Sequence, residues 1–248
     1  MSALSLPRVT ALMAKEAAEL RSAPGVLIGP LAMLVTAVLM PVVIAVGLPA
    51  WSGEPLDALV QVLLFHQFLP LVALVPVVGA MTLITTAVIG EKQARTLEPL
   101  LATPLTSAEL LLAKSAAAFS VALASLVVAY ALLLGLVATL ALPGVAVTLL
   151  SPRALAVVAG VAPAASMVAL ALGAIVSTRA SDARSAQQAG VVVVLPLVAA
   201  FVAQLNGALT LTTGDLAVVT LGLLALAAAL AGVAVHAFDR ERILTRWT

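Results

Sequence analysis

The chain has 248 residues, of which 63% are hydrophobic and only 9% are charged, with a formal net charge of +1. Soluble globular domains have about 25% charged residues, so this composition, with a mean hydropathy of +1.23, excludes a soluble protein and indicates an integral membrane protein. The sequence contains no cysteine, which excludes disulfides, thiol nucleophiles and cysteine-ligated metals.

The first predicted element is an amphipathic helix over residues 6–21, within an interfacial segment that we place at residues 1–25. Val9 and Leu12 share one face of this helix, whereas Arg8 lies on another. Basic residues around an apolar face are typical of a helix that lies in the membrane interface. A Pro-Gly pair follows and ends the helix.

Six apolar segments follow, each long enough for the roughly 20 residues that a membrane-crossing helix requires. They cover residues 26–50, 58–89, 108–142, 154–176, 189–206 and 216–238. Prolines inside the spans predict kinks or local unwinding at Pro41, Pro70, Pro76, Pro163 and Pro196. The sequence therefore predicts an all-α polytopic membrane protein with one transmembrane domain, its six spans in residues 26–238 and a tail over residues 239–248.

Basic residues are concentrated in the loops on one side of the six predicted spans. Eleven of the 12 lysines and arginines fall there, and only Arg153 falls on the opposite side. The eleven are Arg8, Lys15, Arg21, Lys92, Arg95, Lys114, Arg179, Arg184, Arg240, Arg242 and Arg246. The positive-inside rule therefore predicts that both termini and the loop between the second and third spans face the cytoplasm.

Residues 90–114 comprise the loop between the second and third spans and the first residues of the third span. They are a long charged interruption in the apolar sequence, and we call them the central segment. On a helix, three of its charged residues form one polar stripe, and two leucines lie on the opposite, apolar side. The stripe residues are Glu91, Arg95 and Glu98, and the leucines are Leu97 and Leu101. Thr106 and Glu109 have the spacing of a capping box, which predicts the start of the third span.

The pattern Glu-x-x-x-x-Thr-Leu-Glu-x-Leu-Leu-x-Thr-Pro, which begins at Glu91, resembles the cytoplasmic coupling helix of ABC-2-type transporter permeases. Arg95 stands where members of that family commonly have glycine. In the family this segment docks into a groove of a separate ATPase subunit, so the resemblance assigns Glu91, Arg95, Leu97, Glu98 and Leu101 to ATPase coupling. The amphipathic N-terminal helix is similar to the elbow helix with which these permeases begin.

The resemblance implies a membrane subunit of an ATP-driven exporter of an apolar or amphipathic substrate, placed in the plasma membrane of a bacterium or archaeon. It implies two ATPase subunits that bind ATP and Mg²⁺, a second permease copy or a related permease, and membrane lipid as partners, without nucleic acid. The chain has no P-loop, since it contains no Gly-Lys pair. We expect neither a catalytic site nor a cofactor or metal in this chain.

Polar side chains inside the predicted spans are few, and they are the candidates for a translocation pathway. The candidates are His66, Gln67, Thr82, Thr85 and Gln204. Polar groups are costly in lipid, so they tend to face water or protein and often mark a pathway. Hydrogen bonding between helices is the alternative explanation for each of them.

Other functions stay open on the sequence alone. Export of sodium or haem by a related ABC permease fits the same architecture, and so does a secondary carrier, a channel or a membrane scaffold that needs no ATPase. No Asp or Glu lies in the interior of a predicted span. This disfavours a carrier driven by protons or sodium, because such carriers usually depend on intramembrane carboxylates.

Overall fold

The computed structural model describes residues 28–93, 106–180, 191–207 and 210–237, together with residues 10, 12–15, 18 and 188. All regular secondary structure in these residues is helical, which confirms the predicted all-α class. The described positions between residues 10 and 18 are helical as well. The predicted tail, residues 239–248, lies outside the described residues, so its assignment stays a prediction.

Six helices of at least 15 residues occur in the described part of the chain, and we number them α1 to α6. Their bounds are Ile28–Val42 (α1), Ala58–Gln93 (α2), Ser107–Leu140 (α3), Ala162–Arg179 (α4), Val191–Leu205 (α5) and Thr213–Ala237 (α6). Helix α1 continues through a π-helical turn, Val43–Gly47, into Leu48–Ser52. Helix α4 is preceded by Pro152–Leu155 and a π-helical turn, Ala156–Val161.

Four segments of the described chain are long and apolar enough to cross a membrane. They are Ala58–Glu91, Ala108–Leu140, Pro152–Thr178 and Thr213–His236, and they coincide with the second, third, fourth and sixth predicted spans. Two further apolar helices are shorter: Ala37–Ser52 overlaps the first predicted span and extends two residues beyond it, and Val194–Leu205 lies within the fifth. The membrane class is therefore supported, whereas the count of six spans stays a prediction.

Two of the span prolines lie beside π-helical turns. Pro41 lies two residues before the turn Val43–Gly47, and Pro163 lies two residues after the turn Ala156–Val161. Proline has no backbone N–H and its ring clashes with the preceding helical turn, which accounts for the interrupted α-helical bonding just before Pro163. The local irregularity that the sequence predicts is present at these two sites, and the other three prolines lie inside continuous helices.

Helix α2 is the central element of the bundle. It is the most buried of the candidate spans, and it packs most extensively against α4 and then against α3. Helix α1 packs against α3 and α2, whereas α6 packs mainly on α4 and is the most exposed of the four long spans. A movement of α2 would therefore be transmitted to both of its main neighbours.

Buried apolar side chains form two clusters, one towards each end of the bundle. The first surrounds Leu83 and Leu110, near the place where α2 ends and α3 begins, which we call the Glu91 end. The second surrounds Phe65 and Leu133, at the opposite end. Helix α2 contributes to both clusters, so its side chains form a continuous apolar core through the bundle.

Gly173 of α4 packs tightly against side chains of α2. A β-carbon placed on this residue would lie 2.5 Å from the Cγ2 of Ile84 and 2.9 Å from the Sδ of Met81. Small residues at helix interfaces in membranes allow backbones to approach closely and to gain van der Waals contact. Gly173 therefore sets the separation of the two most extensively packed helices.

Reciprocal hydrogen bonds of a capping box form at the start of two helices. At α3, the Thr106 N–H donates to the Glu109 carboxylate (2.8 Å) and the Glu109 N–H donates to the Thr106 hydroxyl (3.1 Å), which confirms the prediction. At α6, Thr212 and Asp215 exchange the equivalent bonds at 2.8 and 3.2 Å. Asp215, at the opposite end of the bundle from Glu91, thus has a structural role that the sequence analysis leaves out.

Candidate functional site

The most concentrated charge in the described part of the chain is a cluster of three side chains at the Glu91 end, which we call the Glu91 cluster. The Glu91 carboxylate lies 2.9 Å from the Lys114 ammonium and 3.7 Å from the Lys15 ammonium. The exposed fraction is 1% for the Lys114 side chain, 11% for Glu91 and 46% for Lys15. Two of the three charges are therefore largely withdrawn from solvent.

Three separate parts of the chain position this cluster. Glu91 lies in the last turn of α2, Lys114 lies two turns into α3, and Lys15 belongs to the helical residues near the N-terminus. The capping box fixes where α3 starts and hence where Lys114 lies along it. Burying a charge costs several kcal/mol unless it is paired, so the close Glu91–Lys114 contact is what makes this position acceptable for a lysine.

The Glu91–Lys114 ion pair joins the two ends of the central segment. Glu91 precedes residues 94–105 and Lys114 follows them, so one contact closes the segment into a loop with a fixed base. Lys15 brings the N-terminal helix to the same base. Any displacement of the segment would therefore act on α2, α3 and the N-terminal helix together.

Of the five residues that the sequence assigns to ATPase coupling, the structure describes one. The Glu91 carboxylate faces two lysines of this chain, so it contributes to the base of the segment. Arg95, Leu97, Glu98 and Leu101 lie outside the described residues, and their assignment stays a prediction.

The sequence analysis gives Lys114, like Lys15, no role beyond its place among the basic residues that predict the orientation. The sequence around Lys114 does indicate a buried ion pair. Lys114 is a lone lysine inside an apolar helix, with leucine at position 110 and alanine at position 118. Neither neighbour one turn away can neutralise it, so a partner on another helix is required.

The structure brings three of the five pathway candidates together at the end opposite Glu91. The Gln67 side-chain amide donates to the backbone carbonyl of Gln204 at 2.6 Å, and this hydrogen bond joins α2 to α5. His66 and Gln204 line a small cavity together with Arg153. The Gln67 side chain therefore has a partner on another helix, as the helix–helix explanation requires.

Thr82 and Thr85 lie elsewhere on α2, about 24 Å or more from His66 along the helix axis. The Thr85 side chain is fully buried, and its hydroxyl donates to the carbonyls of Met81 (2.8 Å) and Thr82 (3.0 Å) on its own helix. The structure therefore separates the five candidates into one group at each end of α2. Their role in a translocation pathway stays a prediction.

The Gln67 contact gives a direct test of that role. We expect Gln67→Leu to lower stability only slightly, because hydrogen bonds between helices in membranes contribute about 0.6 kcal/mol on average. If Gln67 lies on a pathway, transport falls far more than the melting temperature and protein abundance do. Thr139→Val, which removes an exposed hydroxyl bonded only within α3, is the control. Transport that falls only in step with stability would assign Gln67 to packing alone.

The long apolar helices packed around α2 define a polytopic α-helical membrane protein. Residues 53–223 match the family model of the ABC-2 family transporter proteins, which is well over half of the chain, and the chain belongs to this family. The matched region contains Glu91, Lys114 and the central segment between them. Comparison with curated proteins gives no match.

Membership confirms the resemblance that the central segment shows and makes the chain an ABC transporter permease. Permeases of this family are typically transport subunits without catalysis of their own, and they associate with an ABC ATPase subunit. The Glu91 cluster lies at the base of the segment that resembles the family's coupling helix, so it is the candidate functional site of this permease.

Proposed function

We propose that this chain is the membrane subunit of an ATP-driven exporter of an apolar or amphipathic substrate, powered by a separate ATPase. The observation that carries the proposal is the buried Glu91–Lys114 ion pair at the base of the central segment. A coupling segment needs a rigid base. With a flexible base, displacement of the segment would bend the chain locally and would not reach the helices.

The proposed mechanism begins outside this chain, where two ATPase subunits close on ATP and Mg²⁺. Their groove holds the central segment through Arg95, Leu97, Glu98 and Leu101, with Glu91 anchoring its start. Movement of the segment reaches α2 and α3 together because the ion pair links them. Helix α2 then displaces α4 along their packed interface, and the Gln67–Gln204 contact carries the movement to α5 at the far end.

The rest of the assembly follows from the same proposal. Two permease copies, or one copy and a related permease, pair with the two ATPases across the plasma membrane. The distribution of basic residues supports a cytoplasmic position for both termini and for the Glu91 end, on the side where the ATPases would bind. An apolar or amphipathic substrate fits spans whose interiors carry no Asp or Glu.

Charge reversal at Glu98 tests the coupling assignment. Exposed ion pairs contribute only about 0–1 kcal/mol, but like charges that face each other across an interface can cost several kcal/mol. We therefore expect Glu98→Arg to reduce the ATPase retained on a tagged permease by more than tenfold, with normal abundance in the membrane. The measurement is the amount of ATPase that copurifies with the permease, alongside transport by the purified complex in liposomes.

Glu54→Arg is the matched control, because Glu54 is an exposed carboxylate in the loop before α2, at the other end of the bundle. Glu54→Arg makes the same change of charge far from the segment that is proposed to enter the ATPase groove. Asp215 is a poorer control, since its carboxylate caps α6. Full ATPase retention and transport by the Glu98→Arg permease would show that the central segment is not the coupling element.

A further inference from the structure

A groove opens on the side of the bundle between α3, α4 and α6, and we call it the lateral groove. Helix α6 packs on α4 but barely touches α3, so a gap remains between α3 and α6 with α4 as its floor. The space holds about 480 Å³, which is within the roughly 300–1,000 Å³ typical of ligand pockets.

The lining of the lateral groove is apolar and consists largely of small side chains. Alanines from all three helices form its walls, represented by Ala116, Ala171 and Ala228, and Ser115 is the one polar residue among those that line it. Such a surface offers almost nothing to a polar headgroup, a sugar or an ion. It fits a flexible hydrocarbon chain.

The length and position of the lateral groove indicate which part of the bilayer supplies the hydrocarbon chain. Its α6 wall runs from Leu224 to Val235, about 17 Å along a helix. One leaflet contributes about half of the roughly 30 Å hydrocarbon thickness of a bilayer, so the groove is about as long as one leaflet is deep. All three walls lie in the half of the bundle that contains the Glu91 cluster.

The sequence that follows α6 agrees with this position. The groove reaches Val235 on α6, and the sequence continues shortly afterwards to Arg240 and Arg242. Basic residues that directly follow a membrane span are attracted to anionic lipid headgroups. A lipid with its tail between α3 and α6 would have its headgroup near this end of the bundle.

We propose that the lateral groove binds one acyl chain of a phospholipid from the leaflet at the Glu91 end. In the orientation proposed above, this is the cytoplasmic leaflet. The bound chain contacts α3, α4 and α6 at once and fills the gap that α6 leaves beside α3. The site lies at the other end of the bundle from the Gln67–Gln204 contact.

Photocrosslinking of the full-length permease in lipid nanodiscs tests the proposal. The probe is a phosphatidylglycerol that carries a diazirine in the middle of one acyl chain, and the adducts are located by peptide mass spectrometry. We expect adducts at the groove-lining positions of α3, α4 and α6 to exceed, several-fold, those at Ala225, which is exposed on α6 outside the groove.

Two matched variants of α6 sharpen the test. Ala228→Phe places a ring inside the groove and is expected to reduce the groove adducts several-fold. Ala229→Phe adds the same ring to the neighbouring exposed position outside the groove and is expected to leave them unchanged. If Ala228→Phe lowers the yield of folded protein, Ala231→Leu fills the same groove with a smaller side chain.

Two results would overturn the proposal. Equal adduct yields at Ala225 and in the groove would mean that lipid merely surrounds the protein there. The chain has no cysteine, so a single Ser115→Cys variant reports contact between copies without background. Efficient disulfide formation between two such chains, with groove adducts lost, would show that a second copy occupies the lateral groove.

Discussion

Replacing Lys114 with methionine is expected to destabilise the permease strongly. The substitution removes the ammonium that lies 2.9 Å from the Glu91 carboxylate, whose side chain is 11% exposed, whereas Lys15, at 3.7 Å, is half-exposed. Removing one member of a buried ion pair typically costs about 3–5 kcal/mol, because the remaining charge stays out of water. The melting temperature of the purified permease and its abundance in the membrane should both fall.

Lys15→Met is the control for this prediction, because it removes the same charge from the same carboxylate at an exposed position. An exposed pair contributes about 0–1 kcal/mol, so this variant should melt close to the wild type. If Lys114→Met melts as the Lys15→Met variant does, the buried pair does not stabilise the base of the central segment.

The double variant Glu91→Leu/Lys114→Met separates stability from coupling. Apolar residues in place of both members of a buried pair are often neutral or stabilising, so the double variant should recover abundance relative to Lys114→Met alone. The proposed mechanism requires the two ends of the segment to move together, so transport should stay low. Recovery of transport along with abundance would show that the pair serves folding alone.

The helices could be predicted from the sequence because they depend on local patterns. The start of α3 is an example. Thr106 and Glu109 have the spacing of a capping box, and α3 begins at Ser107, the residue after Thr106. The predicted second span stops at residue 89, and α2 continues past it through Glu91, as the helical stripe of the central segment predicts.

The site could be predicted only in part, because its main contact joins two helices. The spacing of Glu91 with Arg95 and Glu98 suggests a surface stripe, and nothing in this local pattern shows Lys114 approaching from α3. A lone lysine in an apolar helix requires a partner, but one sequence does not identify which acid supplies it. The approach of Gln67 to the Gln204 backbone is equally long-range, and so is the Gly173 contact with Ile84.

A single methyl group at Gly173 is expected to have a large effect on the bundle. In Gly173→Ala the new β-carbon would lie 2.5 Å from the Ile84 Cγ2, so the two most extensively packed helices must move apart. Overpacking of this kind typically costs about 1–3 kcal/mol. This cost exceeds the gain of up to about 1 kcal/mol that alanine brings over glycine inside a helix. The melting temperature of the purified permease should therefore fall.

Gly222→Ala in α6 makes the same chemical change where no side chain lies within 4 Å of the new β-carbon. With space available, only the helix-propensity gain remains, and this variant should melt at or slightly above the wild type. Ile84→Ala removes the methyl group that clashes, so the double variant Gly173→Ala/Ile84→Ala should be more stable than the sum of the two single effects. Additive effects, or a Gly173→Ala permease that melts like Gly222→Ala, would contradict the close approach of α2 and α4.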